Sequence, residues 1–530
     1  MIDHPDAKAR RNMLEAVQNI LAKMKGRKGQ SMYIGMNYIN GEWLPHSPDF
    51  SSLNPAKKFE KELGMFPISD HSVVYEAVDS ARIAFESWRK VSRVQRADYF
   101  DKLSQLVKRD HERLRDAISL ETGKNLNESH AEVVEALHMC QVAAASGRQP
   151  YGEVIASELS TKDAVVVRKP RGVVAVIAPW NFPLAIGSFW SAAPAIVEGN
   201  CVVHKPSEFT PMVAQIAAEL YHEAGFPPGV FNLIHGMGDT GKELVQDNRV
   251  DVILFTGSAE VGKEIRQHCS TTVHKTCSCE MGSKSATITF EDGDLDLAIE
   301  VSIASAFKLS GQRCVSSGRL LVQRSIYQEF CNRFVDALHG RNLTGDPFDD
   351  PAPFYGPLIN SDQFERVKMF NEMVHMDQHC EVLVYDITER TASALVSDQG
   401  YFMLPLVYRC EWDNSKRYLV EEVFGPHVAI IPFDTVQDAI DIYNDTDYGL
   451  ALGVVTDDYR KHRILAQECA TGMLYINGGS IAAESHLPFG GVKKSGNGWK
   501  SAAGTYRAVT EEIAVTTNYE HGMSWAQGMK

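Results

Sequence analysis

Cysteine is the residue type best suited to covalent chemistry, and Cys314 is one candidate among the cysteines of this chain. It follows a glutamine and an arginine in the sequence GQRC, and nine further cysteines are scattered along the 530 residues. A thiolate can attack a carbonyl carbon and carry a covalent intermediate, and Arg313 beside the cysteine would favour the thiolate. A single cysteine is more often a small, inert, buried side chain. Cys314 therefore needs partners before it can be assigned a role.

Two other positions could assist a nucleophile. Glu280 lies in CEMGSKS among small and apolar residues, where partial burial would raise its affinity for protons and suit it to act as a general base. Asn181 lies between the prolines of PWNFP, and its amide could donate to an oxyanion. Each also has an ordinary interpretation, as a surface glutamate or as an asparagine that caps a turn.

Two motifs could bind a nucleotide. In FTGSAEVG an apolar strand ends at Gly257, and Ser258 is a plausible N-cap of the following helix, whose N-terminal N–H groups would suit a phosphate. In KPSE, Lys205 and Glu208 follow the strand-like CVV. An acidic group there accepts hydrogen bonds from ribose hydroxyls and repels a 2′-phosphate. A tight turn without ligand and a solvated loop are the alternatives.

The elements that would position these residues alternate along the chain. Strand-like runs separated by helical stretches predict a doubly wound parallel α/β sheet, with ligands beyond the carboxyl ends of its strands. A second α/β region is predicted from 283 to 490, helices from 71 to about 145, and a hairpin turn at Asn40–Gly41. The runs of the first sheet are GVVAVIAPW, NCVVHKPSE, FNLIHGMG and VDVILFTGSAEVG.

Composition excludes several classes of protein. A net charge of −15 argues against nucleic acid as a partner. The cysteines are too sparse and irregular for a disulfide framework, which favours a cytoplasmic protein, and they show no zinc-site spacing. The sequence contains no uninterrupted run of about 18 apolar residues, so no membrane span is predicted.

The N-terminal segment has a helical pattern of apolar residues. Its apolar positions are Met13, Leu14, Val17, Ile20, Leu21 and Met24. A helix that packs on the body of the protein or on a neighbouring subunit is the favoured interpretation, because acidic residues accompany the basic ones. An organelle presequence and a membrane-surface helix are the alternatives.

Taken together, the motifs resemble the aldehyde dehydrogenase superfamily over roughly residues 36–519. Each motif alone is weak, but their joint occurrence in one order is highly specific. The matching stretches are PWNFP, KPSE, FTGSAEVG, CEMGSKS, GQRC, EEVFGP and PFGGVKKSG.

The resemblance implies a role for each catalytic candidate. Cys314 would attack a small-molecule aldehyde to give a thiohemiacetal, while Asn181 and the backbone N–H of Cys314 hold the oxyanion. Loss of a hydride to the nicotinamide would leave a thioester, and Glu280 would activate water to release the free acid. The substrate is left open, with a semialdehyde of amino- or keto-acid catabolism as one candidate and Arg313 as a conceivable partner for its carboxylate.

The resemblance also implies a cofactor site for NAD, with NADP possible. Glu208 favours NAD through its charge. Ser258 would hold the pyrophosphate, Glu422 the nicotinamide ribose, and Phe424 would pack by the ring. The complete set of expected cofactor contacts is Ala178, Pro179, Trp180, Lys205, Ser207, Glu208, Gly257, Ser258, Val261, Glu422 and Phe424.

The family fold implies a Rossmann-like cofactor domain, an α/β catalytic domain and a β-flap that joins subunits into a homodimer or homotetramer. The expected boundaries are an N-terminal helical extension at 1–35, a cofactor domain at 36–148 and 171–282, a catalytic domain at 283–494, and the flap and tail at 149–170 and 495–530.

One residue departs from the family pattern, and several alternatives stay open. Ser283 stands where relatives usually have a second glycine after the glutamate, and the serine is expected to alter how the cofactor lies or how Glu280 moves. An NADP-preferring or CoA-acylating enzyme and a non-catalytic binding protein that retains the fold are alternatives. Retention of Glu280 argues against CoA acylation. A cysteine hydrolase is disfavoured, because it would not need cofactor motifs.

Overall fold

The computed structural model describes residues 33–45, 47–57, 62–384, 400–522 and 525. The predicted N-terminal helix lies outside the described residues. No helix within these ranges is long and apolar enough to cross a membrane.

The first lobe is built on a seven-stranded sheet. Its five parallel strands are almost wholly buried, and the three central ones carry Val, Ile and Ala, as expected for a sheet covered on both faces. A hairpin that turns at Asn40–Gly41, both in the left-handed region, completes one edge. Across the sheet the strands are Thr276–Glu280, Val252–Thr256, Val173–Ile177, Cys201–Lys205 and Phe231–Leu233, then Asn37–Ile39 and Glu42–Leu44.

The chain order of these strands creates a crevice. Numbered along the chain, the parallel strands follow the Rossmann order, which reverses direction between Val173–Ile177 and Val252–Thr256. The chain leaves these two strands toward opposite edges of the sheet. Their carboxyl ends therefore border a crevice in which a ligand can bind. The sheet therefore places the turns after Ile177 and Thr256 on either side of a potential cofactor site.

Helices cover both faces of this sheet. The first has Asp70 as N-cap, whose side chain accepts from Ser72 N and Val73 N, and the second begins with a capping box at Ser92 and Gln95. The helices of the first lobe are His71–Trp88, Arg93–Arg109, His111–Thr122, Leu126–Ser146, the π-helix Pro183–Ser191, Ala192–Val197, Pro211–Ala224, Gly238–Gln246 and Ala259–Cys269.

The second lobe has its own seven-stranded sheet, parallel except for one edge strand. Its strands, in spatial order, are Glu381–Val384, Leu406–Arg409, His427–Phe433, Ser317–Gln323, Ser285–Thr289, Ala451–Val455 and Met473–Ile476. Its helices are Leu295–Phe307, the 3-10 turns Lys308–Gly311 and Arg324–Ile326, Tyr327–His339, Ser361–Met376, Arg417–Val420, Val436–Asn444 and Tyr459–Glu468. The short helix Tyr506–Val509 packs against the first lobe.

A three-stranded antiparallel sheet is separate from the sheets of both lobes. Thr510–Asn518 pairs along the whole of Lys162–Pro170, and Gly152–Ile155 forms the outer edge. Two segments more than 300 residues apart in the chain are thereby joined, in the regions where the sequence predicted the flap. Among the shorter pairings, Glu62–Phe66 lies between Tyr33–Ile34 and Phe50–Leu53. Two further pairs are Tyr448–Gly449 with Val492–Lys493 and Pro488–Phe489 with Ser501–Ala502. The predicted α/β fold with a doubly wound sheet is confirmed.

Candidate active site

The candidate residues gather where the parallel strands of the first sheet meet the second lobe. Pro179 and Trp180 follow one strand, Lys205 ends its neighbour, and Gly257 and Glu280 come at the ends of the next two. Because these strands run parallel, their carboxyl ends share one edge of the sheet. The loop that carries Cys314 reaches this edge from the second lobe.

A tight turn delivers Cys314. Leu309, Ser310 and Gly311 all adopt left-handed backbone angles, which are costly for residues with a side chain. The surroundings hold this conformation, since Glu128 accepts from Leu309 N at 2.6 Å and Ser310 Oγ donates to Gly356 O at 2.6 Å. A Cβ at Gly311 would collide with the backbone of the EEVFGP segment. The cysteine is thus placed by a turn that the rest of the lobe enforces.

Asn181 contacts the same loop. Its side-chain amide is buried and donates to Gln312 O at 3.0 Å, two residues before the cysteine. An amide has two N–H donors, so a second one remains for an oxygen near the thiol. The structure therefore brings together the predicted oxyanion donor and the predicted nucleophile.

The thiol of Cys314 is held in its protonated form. Burial raises its pKa to about 12, the carboxylate of Glu422 adds to this, Arg313 lowers it, and Glu280 raises it again. Arg313 therefore lowers the thiol pKa, as expected, but by less than burial and Glu422 raise it. The sulfur needs a base before it can attack.

Glu280 is buried at the end of its strand and is suited to be that base or the base for water. Neither carboxyl oxygen makes a hydrogen bond of normal geometry among the described residues, although the backbone N–H groups of Gly491 and Ser501 lie near enough to lower its pKa. Burial raises its pKa well above the ordinary value, and the nearby Lys500 ammonium lowers it by less. Gly490 lies against the carboxyl group, where a Cβ would collide with it. An unpaired buried carboxyl is costly to keep, which is typical of a functional group.

Ser283 links the cysteine to a second glutamate. Its Oγ donates to the backbone carbonyl of Cys314 and contacts Ser285 Oγ at 2.8 Å, while its N–H donates to Glu422 at 2.7 Å. Gly282 beside it leaves room for the Glu422 carboxyl, which a Cβ would strike. The serine that departs from the family pattern therefore adds a hydrogen bond to the nucleophile's own loop.

The expected cofactor contacts fall into three groups around the crevice. Trp180, in the stretch Ala178–Trp180, meets Phe424 ring to edge with centroids 5.5 Å apart, and Phe424 has a left-handed backbone. Lys205 lies 3.5 Å from Glu208, next to the buried Ser207. Burial lowers the pKa of Lys205, and Glu208 opposes that shift.

The third group is a helix N-terminus. Ser258 caps the helix Ala259–Cys269 by accepting from Val261 N at 3.3 Å, so the predicted N-cap is confirmed. The preceding Gly257 donates its N–H to Glu280 O at 3.1 Å. This contact fixes the turn beside the strand that carries the candidate base. The first-turn N–H groups of this helix are the donors that an anionic phosphate would use.

A cavity of about 230 Å³ opens beside the catalytic loop. Phe182 and Arg313, the chain neighbours of Asn181 and Cys314, line one side, with the guanidinium 4.9 Å above the ring. Arg313 Nε is buried without a hydrogen-bond partner in the described part of the chain. The helix Leu126–Ser146 supplies the other side, including Glu128 and Glu135.

The sequence did not single out these glutamates or Lys500. Helical periodicity does not distinguish a carboxylate that faces a cavity from one that faces solvent, and the proximity of Lys500 to Glu280 depends on contacts across the fold. Phe182 lines the cavity. Phe307 is buried in the core of the second lobe, and His486 is exposed.

The aldehyde dehydrogenase family model matches residues 43–515. The 2-aminomuconic semialdehyde dehydrogenase of Bos taurus is 34% identical over 503 residues, which cover 94% of this chain and 100% of that protein. The mitochondrial succinate-semialdehyde dehydrogenase of Arabidopsis thaliana is 36% identical, with 80% of this chain and 78% of that protein covered. A crystal structure of betaine aldehyde dehydrogenase from Staphylococcus aureus in complex with NAD+ matches with a TM-score of 0.85 and 29% identity, covering 96% of this chain and 98% of the other.

The family match extends over most of the chain, and the structural match includes both lobes and their relative placement. In this chain, Asn181, Glu280 and Cys314 lie together at the edge where the two lobes meet. The chain belongs to the aldehyde dehydrogenase family.

Proposed function

We propose that this protein oxidises an aldehyde to the free carboxylic acid with NAD, through a thioester on Cys314. The observation that carries the proposal is the hydrogen-bonded group that joins Asn181, the Cys314 loop, Ser283 and Glu422, with the unpaired Glu280 close enough to raise the pKa of the thiol. A binding protein that had lost catalysis would not need a buried carboxyl without a partner. A CoA-acylating enzyme would not need a base for water.

The first half of the reaction belongs to Cys314. Once its proton is removed, the sulfur attacks the aldehyde carbon and the carbonyl oxygen becomes an oxyanion. The free N–H of Asn181 and the backbone N–H of Cys314 are the donors for that oxygen. Gln312 O, which accepts the other N–H of Asn181, fixes the orientation of the amide.

The chain's residues fit NAD. The cofactor, when bound, accepts the hydride from the substrate carbon. Ser258 and the helix it caps would hold the pyrophosphate, Lys205 and Glu208 the adenosine ribose, and Glu422 the nicotinamide ribose. The space left at Gly282 for the Glu422 carboxyl supports this assignment. The negative charge of Glu208 favours NAD, and NADP remains the alternative.

The second half of the reaction belongs to Glu280. Its raised pKa makes it a stronger base than an exposed glutamate once it is deprotonated. It would take a proton from a water that attacks the thioester, and the sulfur would leave as the thiolate. Lys500 is placed to moderate the proton affinity of this carboxyl, since both contact Gly490.

A semialdehyde with a carboxylate is the substrate class that the cavity favours. The Arg313 guanidinium faces the cavity and keeps an unpartnered Nε, and a carboxylate is the natural partner of a guanidinium. Two of the relatives named above are semialdehyde dehydrogenases, for 2-aminomuconic semialdehyde and succinate semialdehyde.

The domain boundaries, the assembly and the compartment also belong to this proposal. The two lobes support a cofactor domain at 36–148 and 171–282 and a catalytic domain at 283–494. The three-stranded sheet would join two or four subunits. The cysteine pattern favours a cytoplasmic protein, although one relative is named as mitochondrial.

The test is cofactor reduction by the purified protein with NAD or NADP, using propanal, benzaldehyde and succinate semialdehyde. We expect turnover with NAD, highest on the semialdehyde, and none in Cys314→Ala. Glu280→Gln should give a burst of one reduced cofactor per site followed by slow turnover. Absence of turnover with every aldehyde, in a protein that still binds NAD, would overturn the catalytic proposal. Arg313→Met should raise KM much more for the semialdehyde than for propanal, while the loss of the guanidinium raises the pKa of Cys314 for both substrates.

A further inference from the structure

Two cysteines that take no part in the proposed reaction face each other across neighbouring strands. The antiparallel strands Glu381–Val384 and Leu406–Arg409 pair Glu381 with Arg409. One residue further along, Cys380 therefore lies opposite Cys410. The pair lies at the edge of the second lobe's sheet, where Glu381–Val384 is the last strand.

The hydrogen-bond pattern makes this a close pair. Cys410 N donates to Ile430 O, on the strand at the opposite side from Cys380. Since the N–H and C=O of one strand residue point to the same side, positions 380 and 410 form a non-hydrogen-bonded pair. Such pairs bring their Cα atoms to about 4.5 Å, with the side chains close together. That separation falls within the range of about 4.4–6.8 Å that a disulfide spans.

The surroundings shift the pKa values of the two thiols in opposite directions. Both cysteines are partly exposed, and their side chains hydrogen-bond to each other. The Cys410 contact, with help from Tyr418 and Lys416, lowers the pKa of Cys380 to about 7, although burial and Asp377 oppose this. The same contact and burial raise the pKa of Cys410. Thiolate is therefore concentrated on Cys380, with a protonated thiol beside it.

We propose that Cys380 and Cys410 are a modification site that forms a reversible disulfide with hydrogen peroxide. The Cys380 thiolate attacks one peroxide oxygen. An S–O bond forms, the O–O bond breaks, and the departing hydroxide takes up a proton to become water. Cys410 sulfur then attacks the sulfenic sulfur, the S–S bond forms, and the S–O bond breaks. The second hydroxide leaves as water with the Cys410 proton, so two thiols are oxidised as one peroxide is reduced.

The other cysteines are less suited to this reaction. Cys269 and Cys277 also hydrogen-bond to each other, but both are buried and burial contributes to the raised pKa of each. Cys314 is partly exposed, yet no second cysteine is among the groups that shift its pKa. Cys380 is the one cysteine of the ten whose pKa is lowered to near neutrality. Selectivity for this pair follows from exposure, thiolate character and a facing partner together.

The experiment uses the full chain with Cys314→Ala, so that oxidation of the catalytic thiol cannot obscure the result. The protein is treated with hydrogen peroxide under native conditions, its remaining thiols are alkylated, and it is digested without reductant. Trypsin separates the pair because Arg390 and Arg409 lie between the two cysteines. We expect one cross-linked species that joins the peptides 369–390 and 410–416, with two hydrogen atoms lost. Dithiothreitol should restore both thiols.

Two variants and one control make the result specific. Cys380→Ser should abolish the cross-link, and Cys410→Ser should leave Cys380 to oxidise to sulfenic acid, which dimedone would trap. Cys331→Ala, a buried cysteine of the same lobe, should form the cross-link as before. NAD binding checks that each variant is folded. Alkylated Cys380 and Cys410 after peroxide treatment, or irreversible sulfinic acid without a cross-link, would overturn the proposal.

Discussion

At the scale of single residues, the nucleophile and its base are both held in their neutral forms by burial. The pKa of Cys314 is about 12, and that of Glu280 lies well above the usual value of a glutamate. Each carboxylate near the sulfur makes the thiolate harder to form, so the free enzyme keeps its nucleophile unreactive. This protects the thiol from oxidation, which follows thiolate content.

The contribution of Glu422 to this protection can be tested by alkylation. Its carboxylate is the largest charge effect that raises the pKa of Cys314, and the pKa of Glu422 is itself about 7. At pH 9 Glu422 is ionised, so Glu422→Gln should lower the thiol pKa and speed the reaction of Cys314 with iodoacetamide. A fall of one pKa unit gives about tenfold more thiolate. Cys314→Ala in the same background supplies the blank, and an unchanged rate would contradict the assignment.

Lys500 should control the pH at which Glu280 becomes a base. Its ammonium lowers the pKa of Glu280, so its removal raises that pKa further. Glu280 acts as a base only when deprotonated, and activity is therefore lost as the pH falls through its pKa. Lys500→Met should move this acid limb of thioester hydrolysis to higher pH.

The measurement is the pH dependence of thioester hydrolysis in single-turnover experiments. Lys494→Met is the matched control, because Lys494 belongs to the same glycine-rich segment but pairs with the exposed Asp447. The control should keep the wild-type profile. An acid limb in Lys500→Met at or below the wild-type pH would show that Lys500 does not act on Glu280.

At the scale of elements, a buried ion pair supports the segment after Asn181. Glu132, on the helix Leu126–Ser146, accepts from the backbone N–H groups of Leu184 and Ala185 at the start of the π-helix. Lys124 donates to its other oxygen, and both side chains are buried. The pair thus joins a helix of the first lobe to the turn that presents the oxyanion donor.

Removing one partner of this ion pair should lower the free energy of unfolding. Replacing both partners together should lower it much less. Lys124→Met leaves a buried carboxylate without its cation, which typically costs about 3–5 kcal/mol. The double variant Lys124→Met/Glu132→Gln keeps an acceptor for the two N–H groups and should recover most of that loss. Denaturant unfolding measures both. Lys169→Met, which breaks the exposed pair with Glu511, should cost about 1 kcal/mol or less. Equal effects of the single and double variants would contradict this account.

The sequence predicted the elements better than the contacts between them. Strand periodicity, the Asn–Gly hairpin turn and the Ser258 cap depend on local physics, and the structure shows each of them where it was predicted. The π-helix after Asn181 and the left-handed Leu309 and Ser310 were not predicted, because distant groups hold them in place. The hydrogen bond from Ser283 to Cys314 likewise joins residues of separate elements, so the substitution could be seen but not interpreted.

At the scale of the whole molecule, the three-stranded sheet exposes apolar side chains on its outer strand. Val154, on Gly152–Ile155, is 87% exposed, and Ile155 is 45% exposed. Thr510–Asn518 is also mostly exposed beyond its first residues. A flat apolar edge is prone to pairing with another chain unless it is covered. The surface therefore suits a contact between subunits, in line with the proposed homodimer or homotetramer.

Val154→Glu should dissociate this assembly. A carboxylate placed in an apolar interface would lose its hydration without gaining a partner, which disfavours association. Size-exclusion chromatography with light scattering should show a dimer or tetramer for the wild-type protein and a smaller species for the variant. Val273→Glu is the control, because Val273 is also fully exposed but lies in the first lobe after the helix Ala259–Cys269, and it should leave the mass unchanged. A wild-type protein that is already monomeric, or a Val154→Glu variant of unchanged mass, would remove this strand from the interface.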